Sequence, residues 1–281
     1  MNTRLKGVIW AVVALAIAGG AFWATRPRSA PILVLATTTS VQDSGLLDVL
    51  LPAFERETGI RVHAVAVGTG QALALARRGD ADAVLCHAPA LEEAFVREGH
   101  GEDRRRVARN DFVVVGPPAD PARVRHTRTA AEALARIAAA GQPFVSRGDR
   151  SGTHLKEQEL WARARVHPEG AWYLSAGSGM GAVLRLASER RAYTLSDRAT
   201  FVAYRGKVDL AILHAGSEGL DNPYSILVVS PRRHPGTRVR EARRFADYLT
   251  GTTAQGLIAR FGMDRYGEAL FRPAAMSGNN K

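Results

Sequence analysis

The sequence predicts an α/β protein of two lobes, each an open, mostly parallel sheet flanked by helices, with a ligand held in the cleft between them. Three observations predict it. Strands and helices alternate from residue 32 onwards, the alternation restarts after Pro117-Pro118, and two extended apolar stretches join the halves, near Asp111 to Pro118 and near Tyr224 to Pro231. The expected division is 1–30 as an export signal or anchor, 31–115 as the first part of lobe one, 116–224 as lobe two, and 225–281 as the return part of lobe one.

Each element follows from its own pattern. "PILVLATTTS" is a short apolar strand running into hydroxyls, and Leu46, Leu47, Leu50, Leu51 and Phe54 recur at helical spacing up to Gly59. "IRVHAVAVGTG" alternates as a strand, "QALALARRGD" is a short helix, and "ADAVLCHA" is an apolar strand of the buried kind. That βαβαβ order gives parallel neighbours through right-handed crossovers.

After the strand "NDFVVVGPP" come helix "TAAEALARIAAAG", strand "QPFVS", a polar loop, and helix "THLKEQELWARAR". A glycine-opened helix "GSGMGAVLRLASERR", strand "AYTLS", a helix begun by an aspartate cap in "DRATFVAYRG", and strand "VDLAILHAG" complete the second half. "NPYSILVVSP" is a return strand, and "TRVREARRFADYLTG" and "TTAQGLIARFG" are closing helices. No repeat of solenoid period is evident.

Composition narrows the function classes. The 281 residues are 46% hydrophobic, enough for a real core, and the formal charge is +11. Four of the basic residues (Arg4, Lys6, Arg26, Arg28) and no acid lie in the first thirty positions, so part of the basicity belongs to targeting. The remaining arginines lack interleaved aromatics, which argues against nucleic acid as a partner. Arg4 and Lys6 precede an uncharged run from Gly7 to Thr25, the mark of an exported, periplasmic protein. Whether it is cleaved stays open: Trp10 and Trp23 resemble the interfacial aromatics of a retained anchor, whereas Ala16-Ile-Ala18 and Ala30 offer small-residue cleavage steps. Cys86 is the sole cysteine, in an apolar strand, so no intramolecular disulfide forms and no lipid-attachment cysteine follows the run.

The loops after the strands share one device, hydroxyls and glycines placed just before helices. Thr37, Thr38, Thr39 and Ser40 form one such loop, Thr69 sits between two glycines in the next, and Ser146, Arg147, Ser151, Gly152 and Thr153 lie in "SRGDRSGTH". Amide N–H groups at helix starts, hydroxyls and a single guanidinium together suit a tetrahedral oxyanion, which needs donors from several directions. Singly, each has a plainer explanation: the hydroxyls as N-caps, the glycines as turns, and Arg147 as a partner of Asp149. Recurrence in both halves is what favours a site. A hydrolase using Ser151 or Ser146 is the alternative from another class, but no G-x-S-x-G elbow is present. The eight histidines show no zinc-binding spacing, and no metal cation or cofactor is implied.

"ATTTSVQDSGLL", "VGTGQALALARRGDADAVLCHAP", "FVSRGDRSGTHLKEQELW", "GSGMGAVLRLASERRAYTLSDRATF" and "NPYSILVVSP" together resemble the periplasmic tungstate-binding proteins of ABC importers, in the same order from Ile32 to about Phe261. The resemblance implies a type II periplasmic-binding fold that closes on tungstate, and usually also molybdate, and delivers it as a monomer to a membrane permease. Phosphate or sulfate is the alternative cargo. By the same resemblance Thr38, Thr39, Ser40, Thr69, Ser146, Arg147, Ser151, Gly152 and Thr153 are the main ligand-binding candidates, with Gly179 and Met180 giving backbone N–H groups and Thr194 on a strand facing the cleft. Asp197 would repel an anion and is expected to cap its helix or to partner Arg147. Arg150 departs from the family pattern, as does the lack of a lipid-attachment cysteine.

Overall fold

The computed structural model describes residues 30–274, so the expected export segment Gly7–Thr25 lies outside the described residues. By its contacts the chain divides into Met1–Pro31 and Ile32–Lys281, and every element below belongs to the second unit. β1 (Ile32–Thr38) leads into the short helix α1 (Thr39–Asp43), followed by α2 (Leu46–Thr58), β2 (Arg61–Val67), α3 (Thr69–Arg78) and β3 (Ala83–Cys86). Helix α4 (Pro89–Arg97) has no counterpart among the elements expected from the sequence; its Pro89 stands at a helix start, where a missing N–H breaks no bond. β4 (Gly101–Gly116), α5 (Ala130–Ala139), β5 (Phe144–Ser146), α6 (Gly152–Arg163), β6 (Tyr173–Ser175), α7 (Met180–Glu189), β7 (Thr194–Asp197), α8 (Arg198–Tyr204) and β8 (Ala211–His214) follow. β9 (Asp221–Val229), α9 (Val239–Thr250), α10 (Thr252–Arg260), α11 (Met263–Tyr266) and β10 (Arg272–Pro273) end the described chain.

Parallel pairing holds where the βαβ order predicts it. β1 pairs in parallel with β2 and β3, and β5 with β6. Around these, the sheet is mixed and more antiparallel than that order alone implies, because β4 and β9 pair antiparallel with each of their partners. β4 is the member common to both halves. Gly101 to Asp111 pair with β9, beside β3 and β1, whereas Phe112 to Val115 pair with β7.

The crossing expected near Asp111 is therefore the second part of a much longer strand. Its first part, "GEDRRRVARN", is charged yet extended, with two of its arginines held in close ion pairs: Arg104 with Glu92 at 2.8 Å, and Arg105 with Asp103 at 2.7 Å and with Asp247 at 2.6 Å. Asp103 has φ 51°, and the pairing register shifts on either side of Arg105 and Arg106, as at a bulge.

Packing on the β1 side centres on Phe54 of α2, fully buried and edge-on to Phe245 of α9 at 4.9 Å, with Tyr248 at 5.2 Å. On the other side Phe144 packs against Trp161 at 5.2 Å and stacks on Tyr173 at 5.9 Å. Cys86 is buried and free, as expected of a small core residue. Truncation of Phe54 leaves a cavity among apolar neighbours. Phe54→Ala is expected to lower unfolding free energy by about 3–5 kcal/mol in urea titrations, and Val49→Ala, on the exposed side of the same helix, by less than about 1 kcal/mol.

Candidate anion-binding site

The loops at the C-terminal ends of β1, β2, β5 and β7 meet around one side chain. Arg147, in the loop between β5 and α6, is 1% exposed, which makes it one of the largest fully buried side chains described. A guanidinium cannot shed its charge, so burial requires acceptors. Its Nη1 donates to Ser40 Oγ at 2.9 Å and its Nη2 to Thr39 Oγ1 at 3.2 Å, both more than a hundred residues away in sequence. Nη2 also pairs with Asp149 at 2.5 Å. The Nε–H is buried without a hydrogen-bond partner.

A second clasp runs parallel to the first. The Gly152 N–H, in the opening turn of α6, donates to Thr69 Oγ1 at 3.3 Å. A side chain at Gly152 would come within 3.0 Å of the His87 carbonyl, and one at Gly68 within 3.7 Å of the Asp149 carbonyl. The approach at Gly152 is tight, so any larger residue there requires the His87 backbone to give by a few tenths of an ångström. Gly179, which caps α7, lies similarly against Thr39, whose Oγ1 would stand 3.7 Å from a β-carbon added at that glycine.

The hydroxyls are polarised by these contacts. Thr38 accepts from the Val41 N–H at 3.3 Å, Thr39 and Ser40 accept from Arg147, and Thr69 accepts from Gly152. A hydroxyl whose oxygen is occupied as acceptor keeps its hydrogen to donate. Thr153 Oγ1 is buried with no partner. Donors without acceptors, namely Arg147 Nε–H, the Thr153 O–H and these four hydroxyl hydrogens, fit an oxyanion and do not fit a metal cation.

Other predicted residues are placed differently. Ser146 accepts the Gly148 N–H at 3.2 Å and hydrogen-bonds the buried Glu157 carboxyl, so it shapes the loop. Ser151 caps α6 by accepting the His154 N–H at 3.3 Å and hydrogen-bonds Asp149. Neither serine is paired with an imidazole, since His154 Nδ1 accepts the Arg150 N–H at 2.9 Å. Thr37 is spent within the sheet, donating to the Leu85 carbonyl at 2.9 Å. Thr194 sits at the start of β7, three residues before the end that meets the other loops, and its hydroxyl donates to the Leu195 carbonyl at 3.4 Å. Met180 is fully buried at the start of α7.

Several polar residues beneath the site have no signal in the loop pattern. Burial pushes the Asp43 carboxyl up, against the opposing Gly181 N–H, Arg147 and Arg185. For Asp149, burial is outweighed by Arg147 and Ser151, which hold its carboxyl below the ordinary range. Asp197 caps α8, its Oδ1 accepting the Thr200 N–H at 2.9 Å and Asn110 Nδ2 at 3.3 Å. Asn110 is linked to the Tyr224 hydroxyl, which accepts from Asn222 Nδ2 at 3.1 Å, and Asn222 Oδ1 lies 2.9 Å from His87 Nδ1. Burial lowers His87 to about 4, with Arg147 adding to the effect of burial and Asn222 opposing it. The chain of bonds thus crosses β9 and β4 and joins the β3 end to the β7 end. A polar residue at the start of an otherwise apolar run, as Asn110 and Asn222 are, is the signal that marks it.

Gly148 carries the turn that brings Arg147 into place. Its φ is 63°, and an added β-carbon would collide with Ser175 Oγ. Gly148→Ala is expected to weaken anion binding at least tenfold and to lower the melting temperature. Gly206→Ala, at an open position with ordinary φ, is expected to change neither; calorimetric titration and thermal melts check both.

The chain is similar to known proteins over most of its length. Residues 25–253 match the family described as PBP superfamily domain. The chain is 41% identical, over 97% of its length and 99% of the relative's, to the tungstate-binding protein TupA of Peptoclostridium acidaminophilum. Among solved structures, the tungstate ABC transporter protein of Geobacter sulfurreducens superposes with a TM-score of 0.78 at 50% identity, covering 83% of this chain and all of that one. The tungstate-binding protein TupA of Desulfovibrio alaskensis G20 gives 0.73 at 42% identity, covering 87% and 99%. The chain belongs to the PBP superfamily and, within it, to the family of these tungstate-binding proteins.

Proposed function

We propose that this protein binds tungstate outside the cytoplasm and presents it to the permease of an ABC importer, with molybdate held by the same groups. The observation that carries the reading is the buried Arg147, clasped by Ser40 and Thr39 and left with an unpartnered Nε–H beside hydroxyls whose oxygens are already occupied. Such a set binds a tetrahedral dianion by donation alone. Tungstate and molybdate are close in size and equal in charge, so both satisfy it.

The proposed lobes, 31–115 with 225–281 and 116–224, close by bringing the β5–α6 loop onto the loops after β1 and β2. Binding then needs no chemical step: the ligand bridges donors from both sides and holds them together. Thr38, Thr39, Ser40, Thr69, Arg147, Gly152 and Thr153 line the bound anion in this reading, Gly179 and Met180 give helix-terminal N–H groups, and Ser146 and Ser151 hold the loop. The receptor acts as a monomer. Export is proposed from the Gly7–Thr25 run; among the described residues no helix is long and apolar enough to cross a membrane.

Two outcomes test this. A ligand that binds only the native state adds RT ln(1 + [L]/Kd), about 2.7 kcal/mol at a hundredfold excess over Kd, so tungstate and molybdate are expected to raise the melting temperature. A melt unmoved by either ion counts against an oxyanion receptor. Arg147→Ala is expected to remove about 1.5–3 kcal/mol of binding, roughly 10- to 150-fold in Kd, while alanine at the ion-paired Arg105 or the exposed Arg244 leaves affinity within about twofold. Arg147→Lys is also expected to lose affinity, because an ammonium does not reach Ser40 and Thr39 with one planar fork. Equal small effects for all these variants would move the site elsewhere.

A further inference from the structure

The charges around Arg147 do not favour a dianion as they stand. One guanidinium is faced by Asp149, which it pairs, and lies within electrostatic reach of Asp43 on α1 and Asp197 at the start of α8. Even with Arg185 acting on Asp43, a doubly charged oxyanion added beside three acidic side chains and Arg147 meets repulsion. One of the carboxyls has the geometry to relieve it.

Asp197 is fully buried. Its Oδ1 is occupied by the Thr200 N–H and by Asn110 Nδ2, and its Oδ2 is buried with no hydrogen-bond partner. As a carboxylate, this atom is buried with no donor of its own; as a neutral acid, it carries an O–H. We propose that Asp197 takes up a proton from solvent when the receptor binds its dianion, so that each anion enters with up to one proton and Oδ2 carries the hydrogen in the bound form. The inference rests on the oxyanion reading above. No bond other than O–H forms, and nothing is oxidised or reduced.

The surrounding groups support the assignment. Burial pushes the Asp197 carboxyl up, against hydrogen bonding from Thr200 and the charge of Arg147, while Asp43 adds to burial. Tyr224 on β9 faces it and is itself raised well above the ordinary phenol range by burial, so it stays neutral. Asn110 on β4 does not titrate. Asp43 is opposed by the Gly181 N–H and by Arg185 in addition to Arg147, and so is the weaker candidate. Burial lowers His87 to about 4 and also lowers His154, which favours the neutral imidazole in both.

The sign follows from linkage. A group that binds its proton more tightly in the complex than in the free protein makes affinity higher at low pH, and affinity falls as pH rises through the free-state value towards that of the complex. The full chain is titrated calorimetrically with sodium tungstate across a series of pH values, at each pH in two buffers whose ionisation enthalpies differ. The expected result is an apparent enthalpy that differs between buffers by up to one proton's worth, with Kd weakening by up to tenfold per pH unit. Asp197→Asn keeps the helix cap, since asparagine caps as well as aspartate, and is expected to bind tungstate with no buffer difference and no slope. Asp43→Asn is expected to retain both.

Tight wild-type binding without buffer dependence overturns the proposal, as does proton uptake that persists in a folded Asp197→Asn. If that variant fails to fold, the infrared difference spectrum of the wild type decides: a new protonated-carboxyl band on adding tungstate supports the proposal, and its absence overturns it. No binding of tungstate or molybdate at any pH overturns the oxyanion reading together with this one.

Discussion

A guanidinium with 1% of its surface exposed must find acceptors, and the arrangement of this protein around Arg147 follows from that requirement. The acceptors come from two hydroxyls at the start of α1 and from one neighbouring carboxylate. Because Ser40 and Thr39 lie after β1 and Arg147 after β5, satisfying the charge draws together loops from two different sheets. The same contacts turn the hydroxyl hydrogens away from Arg147. One interaction therefore both brings the loops together and sets the polarity of what they hold.

The two long strands make that approach possible. β4 and β9 pair antiparallel beneath the site, and the bonds from His87 through Asn222, Tyr224 and Asn110 to Asp197 run across them. Each of these residues is buried, and polar groups inside a sheet persist only when each finds a partner. The chain of bonds ties the end of β3 to the end of β7, so it positions both sides of the site from below while the Arg147 clasp does so from above. Its two termini, His87 Nε2 and Asp197 Oδ2, are the atoms that remain unpartnered.

The sequence carried much of this in plain view. Strand and helix order were legible from apolar periodicity and from glycine and proline punctuation, and Asp197 was legible as a helix cap because an aspartate stands before "RATF". The loop hydroxyls were legible as a group, yet their separate duties were not: Ser146 and Ser151 turn to Glu157 and Asp149, and Thr37 turns into the sheet, choices made by partners that no loop pattern names. The first part of β4 was hidden because arginines and acids do not resemble a strand until their ion pairs are known. Asn110 and Asn222 each stand beside an aspartate at the edge of an apolar run, a weak signal that local pattern alone does not interpret. Their meaning depends on a cross-strand neighbour that no local pattern contains.

The central claim is that the anion sits on the unspent donors of the Arg147 clasp. Tungsten scatters anomalously, so diffraction from crystals grown with tungstate locates it directly. The claim predicts one dominant tungsten peak whose oxygens lie within hydrogen-bonding reach of Arg147 Nε, Thr153 Oγ1 and the Thr38 and Ser40 hydroxyls. A dominant peak elsewhere, for instance in the charged pocket lined by Arg109, Arg198 and Arg272 with Asp111, Asp221 and Glu268, would contradict it.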